Sequence, residues 1–141
     1  MRTLIAMTLT HTELTMGTVG EAMTPGILTC QRTTQLTAVA RMMAAHRVHA
    51  IVVFDHGDTL EPWGVVSDLD LVGALETGAV AGTVAGSPVV SVTVDDTLMH
   101  AAQLMREHAT THLVVVSDGP SSLPIGVLST LDVVRAFSLQ G

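Results

Sequence analysis

The sequence predicts an α/β fold built from two β-α-β-β-α units packed together, and three observations predict it. The chain repeats itself, because one shift (132 − 70 = 62) carries Leu36–Leu75 onto Leu98–Phe137 without a gap. Within each copy, helical apolar spacing gives way to runs of β-branched residues. Both copies end in the same Gly-x-x-Ser-x-x-Asp turn, Gly64–Asp70 and Gly126–Asp132.

The identities run through the whole register. Leu36/Leu98, Ala40/Ala102, Met43/Met105, His46/His108 and Val52/Val114 open it. Gly64/Gly126, Ser67/Ser129, Asp70/Asp132 and Val72/Val134 continue it, and upstream Pro25 meets Pro88 if one residue is skipped. A single unit of this size buries too little surface to stand comfortably alone, so the two should share a core.

The elements follow in order. A short apolar segment opens each copy (Ile27–Thr29; Val89–Val92). A helix comes next, with Leu36, Val39, Ala40 and Met43 matched by Leu98, Ala101, Ala102 and Met105 at i, i+3, i+4, i+7 spacing. Thr33 or Thr34, and Asp95 or Asp96, stand where an N-cap belongs. The strands Ile51–Val53 and Leu113–Val116 follow, then a Gly-containing turn, then Trp63–Val66 and Ile125–Leu128. Helices Leu69–Leu75 and Leu131–Phe137 close the units. Residues 1–17 are expected as a flexible N-terminal tail, 18–76 as the first repeat and 77–87 as a connection. The second repeat is expected over 83–138, overlapping the end of that connection.

Composition narrows the function. Thirteen acidic residues face six arginines and no lysine, a net charge of −7. Such a surface disfavours nucleic acid and anionic lipid, which need clustered cations. No apolar run approaches a membrane span, and the start of the chain lacks the apolar core of a secretory signal. The lone Cys30 excludes an internal disulfide and suits a reducing compartment, so the expected address is the cytoplasm.

Taken singly, each Ser-x-x-Asp turn reads as a capping box. Its by-product is a site, since a helix's first turn presents free N–H groups and a positive dipole end to an anion. A carboxylate at the rim can accept from two adjacent ribose hydroxyls, as in dinucleotide folds. Serine for phosphate, acid for ribose and an apolar strand for a base describe a nucleotide pocket.

With its Met23-Thr24-Pro25 segment, its Val48–Val53 strand and its paired turns, the chain resembles a tandem pair of CBS domains, the cystathionine β-synthase-type or Bateman module, over about residues 18–138. The resemblance implies a pseudo-twofold pair with two clefts between the repeats. Those clefts bind adenosine derivatives such as AMP, ADP, ATP or S-adenosylmethionine. It also implies a homodimer, a regulated partner protein that this chain does not name, no required cofactor and no catalysis.

Carried over by position, Asp70 and Asp132 match the ribose acids, and Ser67 and Ser129 the neighbouring hydroxyls. Ile27–Leu28 and Val89–Val90 match the adenine walls. Basic residues often precede the second strand in nucleotide-binding relatives, and this chain offers His49-Ala50 and Thr111-His112. Arg135, one turn beyond Asp132, has Gly73 as its counterpart, and Asp68 adds a second acid where the other copy has Thr130. The cleft with Ser129, Thr130, Asp132, His112 and Arg135 is therefore expected to take a phosphate-bearing ligand. The cleft at Asp70 is expected to stay empty or take a less anionic one. Binding is expected to weaken from about pH 6 to about pH 8 as His112 loses its proton.

Other constellations are weaker. His46/His49 and His108/His112 have ligand-like spacing, but a helix end falls inside each pair, so no metal site is expected. No serine has an evident His–acid partner, so no catalytic residue is expected. The competing reading is a CBS-type dimerisation scaffold or stress-linked protein with degenerate, non-binding clefts.

Overall fold

The computed structural model describes residues 16–55, 62–75, 78–85, 89–119 and 122–140. Two small sheets carry the chain. In the first, β2 (Thr29–Gln31) runs parallel to β3 (Ala50–Phe54), which turns back antiparallel as β4 (Pro62–Ser67). Helix α2 (Leu36–His46) makes the crossover that parallel neighbours require. Short α3 (Asp68–Val72) follows β4 directly. The second half repeats this with β5 (Ser91–Thr93), α5 (Leu98–His108), β6 (His112–Val116), β7 (Pro124–Ser129) and α6 (Thr130–Ser138). The expected α/β pair of β-α-β-β-α units is present.

The halves exchange their opening segments. Helix α1 (Val19–Ala22) leads the first repeat yet docks on the second half, Val19 N–H donating to Asp96 O at 2.8 Å and Gly20 N–H to Val94 O at 2.9 Å. β1 (Thr24–Pro25) then pairs antiparallel with β7. Conversely α4 (Ala81–Val84), inside the expected connection, docks on the first half, Ala81 N–H donating to Thr34 O and Gly82 N–H to Arg32 O, both at 2.8 Å. A Cβ on Gly20 would meet Val94 O at 3.1 Å, and one on Gly82 would meet Arg32 O at 3.1 Å. Both glycines permit this close approach of backbones.

Each core consequently contains a borrowed residue. Ile51, Val53, Val66, Val39 and Met43 pack with Ala81, whereas Leu98, Leu113, Val115 and Leu128 pack with Val19. Cys30 is buried in the first core, which pushes its thiol above the usual range.

Several boundaries move. Gln35 and Thr97 cap α2 and α5, in place of Thr33/Thr34 and Asp95/Asp96. Thr34 Oγ1 instead accepts from Gln31 N–H, and Asp96 Oδ2 from Thr93 N–H, so those side chains close the strand-to-helix turns. Strands β2 and β5 begin later than Ile27 and Val89, leaving the preceding apolar residues for the clefts described below. Helix α3 stops at Gly73, short of Leu75. Of the expected tail, residues 1–15 lie outside the described residues. Met16 packs on the second core and Gly17 O accepts from Leu98 N–H.

Candidate ligand clefts between the repeats

Both Ser-x-x-Asp turns fold as complete capping boxes. Ser67 Oγ accepts from Asp70 N–H at 3.1 Å, and Asp70 Oδ2 accepts from Ser67 N–H at 2.9 Å. Ser129 and Asp132 repeat the pair at 3.1 and 2.8 Å. Each box uses one carboxylate oxygen, and a carboxylate retains acceptor capacity for a further donor.

A cleft lies over each box, and each is composite. The first, about 270 Å³, sets Val65, Ser67 and Asp70 of the first repeat against Val89, Val90 and residues 108–112 of the second. The second, about 210 Å³, sets Ser129, Asp132 and Arg135 against Ile27, Leu28, Val48, His49 and Ala50. Both lie just under the ~300 Å³ at which small-molecule pockets usually begin, so a nucleotide would leave part of itself in solvent. The walls come from opposite repeats because each apolar lead-in strand borders the other repeat's serine turn.

The structure brings together Ser67, Asp70, Val89, Val90 and His112 in one cleft, and Ser129, Asp132, Arg135, Ile27, Leu28, His49 and His112 in the other. Thr130 lines neither cleft; it is exposed, its N–H donating to Thr111 O at 2.9 Å. His112 belongs to both clefts, and His49 serves the turn of the opposite repeat. The repeat register alone does not reveal that crossing, although the identity of Gly20 and Gly82 at the same shift is a trace of it.

Charge is arranged differently from the expectation. His49 Nδ1 lies 2.9 Å from Asp68 Oδ2, and this hydrogen bond holds the Asp68 carboxyl below the usual carboxylate range. Asp68 is thus engaged by the wall of the Asp132 cleft. Burial lowers the His112 imidazole below its ordinary value, partly opposed by the carboxylates of Asp68, Asp132 and Asp70. His112 is accordingly neutral at neutral pH in the free protein, and the expected loss of its proton from about pH 6 to about pH 8 moves to lower pH. Its Nδ1 sits 2.9 Å from Thr111 Oγ1, which fixes the ring and leaves Nε2 for another partner. Among the described residues no group of three or more His, Cys, Asp or Glu is disposed to hold a metal, and no helix is long and apolar enough to cross a membrane.

Two α/β repeats, each with a serine–aspartate turn bordering a cleft walled by the other repeat, define a tandem-repeat module. The CBS domain family model matches residues 19–77 and again 81–139, and the chain belongs to the CBS-domain family as a tandem pair. The matched ranges include α1 and α4, the two exchanged helices. Among solved structures, CBSX2 in complex with AMP is 30% identical, covering 84% of this chain and 94% of that one at a TM-score of 0.66. A CBS domain protein from Pyrobaculum aerophilum complexed with AMP is 26% identical, covering 86% and 98% at 0.72. The CBS domain pair of protein MJ0100, in complex with 5'-methylthioadenosine and S-adenosylmethionine, shares the fold at 16% identity, covering 86% and 96% at 0.75. No curated protein sequence matches the chain.

Proposed function

We propose that this chain is a regulatory ligand-sensing module that binds an adenosine derivative between its repeats. The observation that carries this reading is the Asp132 cleft: a capped carboxylate, Arg135, His49 and the apolar Ile27–Leu28 edge converge on one hollow. Asp132 is assigned to the ribose hydroxyls and Ile27 and Leu28 to the adenine. Arg135 and His49 are assigned to phosphate. AMP, ADP and ATP fit this chemistry. The Asp70 cleft offers histidines but no arginine among its lining residues, and is assigned a less anionic ligand such as S-adenosylmethionine. AMP bound by two relatives supports the ligand class.

Leu69 and Val72 on α3, and Leu131, Val134 and Phe137 on α6, are exposed apolar residues, Phe137 at 64%. This unusual amount of exposed apolar surface supports a homodimer. The free, buried Cys30 fits a reducing compartment, and we read the module as cytoplasmic. The same exposed face keeps a second reading alive, a dimerisation scaffold whose clefts bind nothing.

Thermal unfolding with millimolar AMP, ADP, ATP and S-adenosylmethionine separates the two. A ligand at ~100 times its Kd stabilises by about 2.7 kcal/mol, so a binder raises the midpoint visibly. The AMP shift is expected to vanish in Asp132→Ala. No shift with any of the four overturns the sensing reading and leaves the scaffold.

A further inference from the structure

A third hollow lies between α1, the start of α5 and α6. It holds about 330 Å³, and unlike the two clefts it clears the ~300 Å³ at which small-molecule pockets usually begin. Its floor is apolar: Leu98 is buried in the second core, and Met16 and Ala22 pack against that core. Its rim is charged, with Glu21 from α1 and with Asp132 and Arg135 from α6. The opposite charges do not meet. Arg135 forms no ion pair among the described residues, although both carboxylates border the same hollow. Glu21 Oε1 accepts from Thr18 N–H at 2.8 Å and from Thr18 Oγ1 at 3.1 Å, which fixes the carboxylate and leaves Oε2 uncommitted. These bonds hold Glu21 below the ordinary carboxylate range, so it is ionised at neutral pH. Asp132 likewise commits only Oδ2, to Ser129 N–H.

A simple ion is mismatched here, since an anion meets two carboxylates and a cation meets the guanidinium. Asp132 and Arg135 stand three apart on one helix, which sets their Cβ atoms about 5–6 Å apart. That spacing suits an ammonium and a carboxylate borne on one carbon. We propose that this hollow is a binding site for a free apolar α-amino acid. Glu21 and Asp132 hold its ammonium, Arg135 holds its carboxylate, and its side chain rests on Leu98, Met16 and Ala22. Arginine presents a fork matched to a carboxylate and has five N–H donors, so Arg135 can serve this hollow and the Asp132 cleft together. The site does not rest on the nucleotide reading, because Glu21 and Leu98 line this hollow and neither cleft.

The test is calorimetric titration of the full chain with L-leucine, glycine, isoamylamine and isocaproate at millimolar concentration. L-leucine is expected to bind. Isoamylamine lacks its carboxylate, isocaproate its ammonium and glycine its side chain, and each is expected to bind about tenfold more weakly. Isoamylamine or isocaproate binding as well as leucine overturns the proposal. Glu21→Gln removes the charge but keeps an acceptor for Thr18 N–H, since a capping box takes Gln as it takes Glu. This variant is expected to melt like the wild type and to bind leucine about tenfold more weakly. Arg135→Gln is expected to weaken leucine by a similar factor. Leucine binding that both variants retain in full belongs elsewhere on the molecule and overturns the proposal. Absence of leucine binding overturns it too, and leaves AMP binding untouched. Leucine binding without AMP binding supports this site and overturns the nucleotide reading alone.

Discussion

Asp68 and His49 lie 19 positions apart in sequence, and their side chains meet at 2.9 Å at the surface beside the Asp132 cleft. The pair is exposed, so it contributes little to stability. On the proposed reading its weight falls on ligand binding, because His49 lines the Asp132 cleft and is assigned to phosphate, while Asp68 competes for it. Asp68→Asn is expected to raise AMP affinity about two- to threefold, an effect typical of one partly screened charge, with the midpoint of unfolding almost unchanged. Titration calorimetry beside a melt measures both, and weaker AMP binding would show that Asp68 holds His49 in place for the ligand.

His112 gives the free protein a pH dependence whose sign is fixed. Its folded-state pKa lies below the unfolded value, so the unfolded chain binds more protons as pH falls. The stabilisation is fully present above about pH 6.5 and is lost as pH drops through the lower folded value. Melts across this range are expected to show the midpoint falling on acidification, and His112→Gln is expected to flatten the fall. Phosphate-dependent affinity should rise over the same acidic window.

The two capping boxes separate stability from binding. Ser67→Ala and Ser129→Ala each remove an N-cap acceptor and are expected to cost about 1 kcal/mol, roughly 3–4 °C in midpoint. Asp70→Ala and Asp132→Ala also break their boxes and are expected to melt earlier by similar amounts. Only Asp132→Ala is expected to lose the AMP-induced shift. Loss of that shift in Asp70→Ala instead would reverse the assignment of the clefts.

Gly126 tests the crossing of the chain between halves. A Cβ there would stand 2.7 Å from Thr24 O, a backbone atom that cannot move without breaking the pairing of β1 with β7. Gly126→Ala is therefore expected to destabilise by about 1–3 kcal/mol, the usual cost of overpacking. Hydrogen exchange should show faster exchange at Gly26, whose N–H donates to Ile125 O.

Much of this was legible in the residues. The repeat register placed β3, β4, β6, β7 and both long helices, because β-branched runs and i, i+3, i+4 spacing are local signals. The capping boxes were legible too, since Ser and Asp three apart carry their own geometry. Local signals could not report that Val19 and Ala81 bury themselves in the opposite core, because a four-residue helix has no periodicity to read. They likewise left open which serine turn faces Ile27 and which faces Val89, a matter of long-range packing. Thr130 looked like a cleft residue from adjacency alone, but at the helix start its side chain is exposed. Asp68 looked like a repulsive neighbour because its histidine partner comes from a distant loop.

The exchange of α1 and α4 has a kinetic consequence. The second core does not close until residues some 80 positions apart have met, as Val19 meets Leu98, whereas the first core needs only Ala81, about 50 positions or fewer from its partners. Such distant contacts cost loop entropy before they return any burial, which slows the search. The first core can therefore close on a nascent chain as soon as α4 has emerged, whereas the second keeps α1 waiting until the last strands arrive.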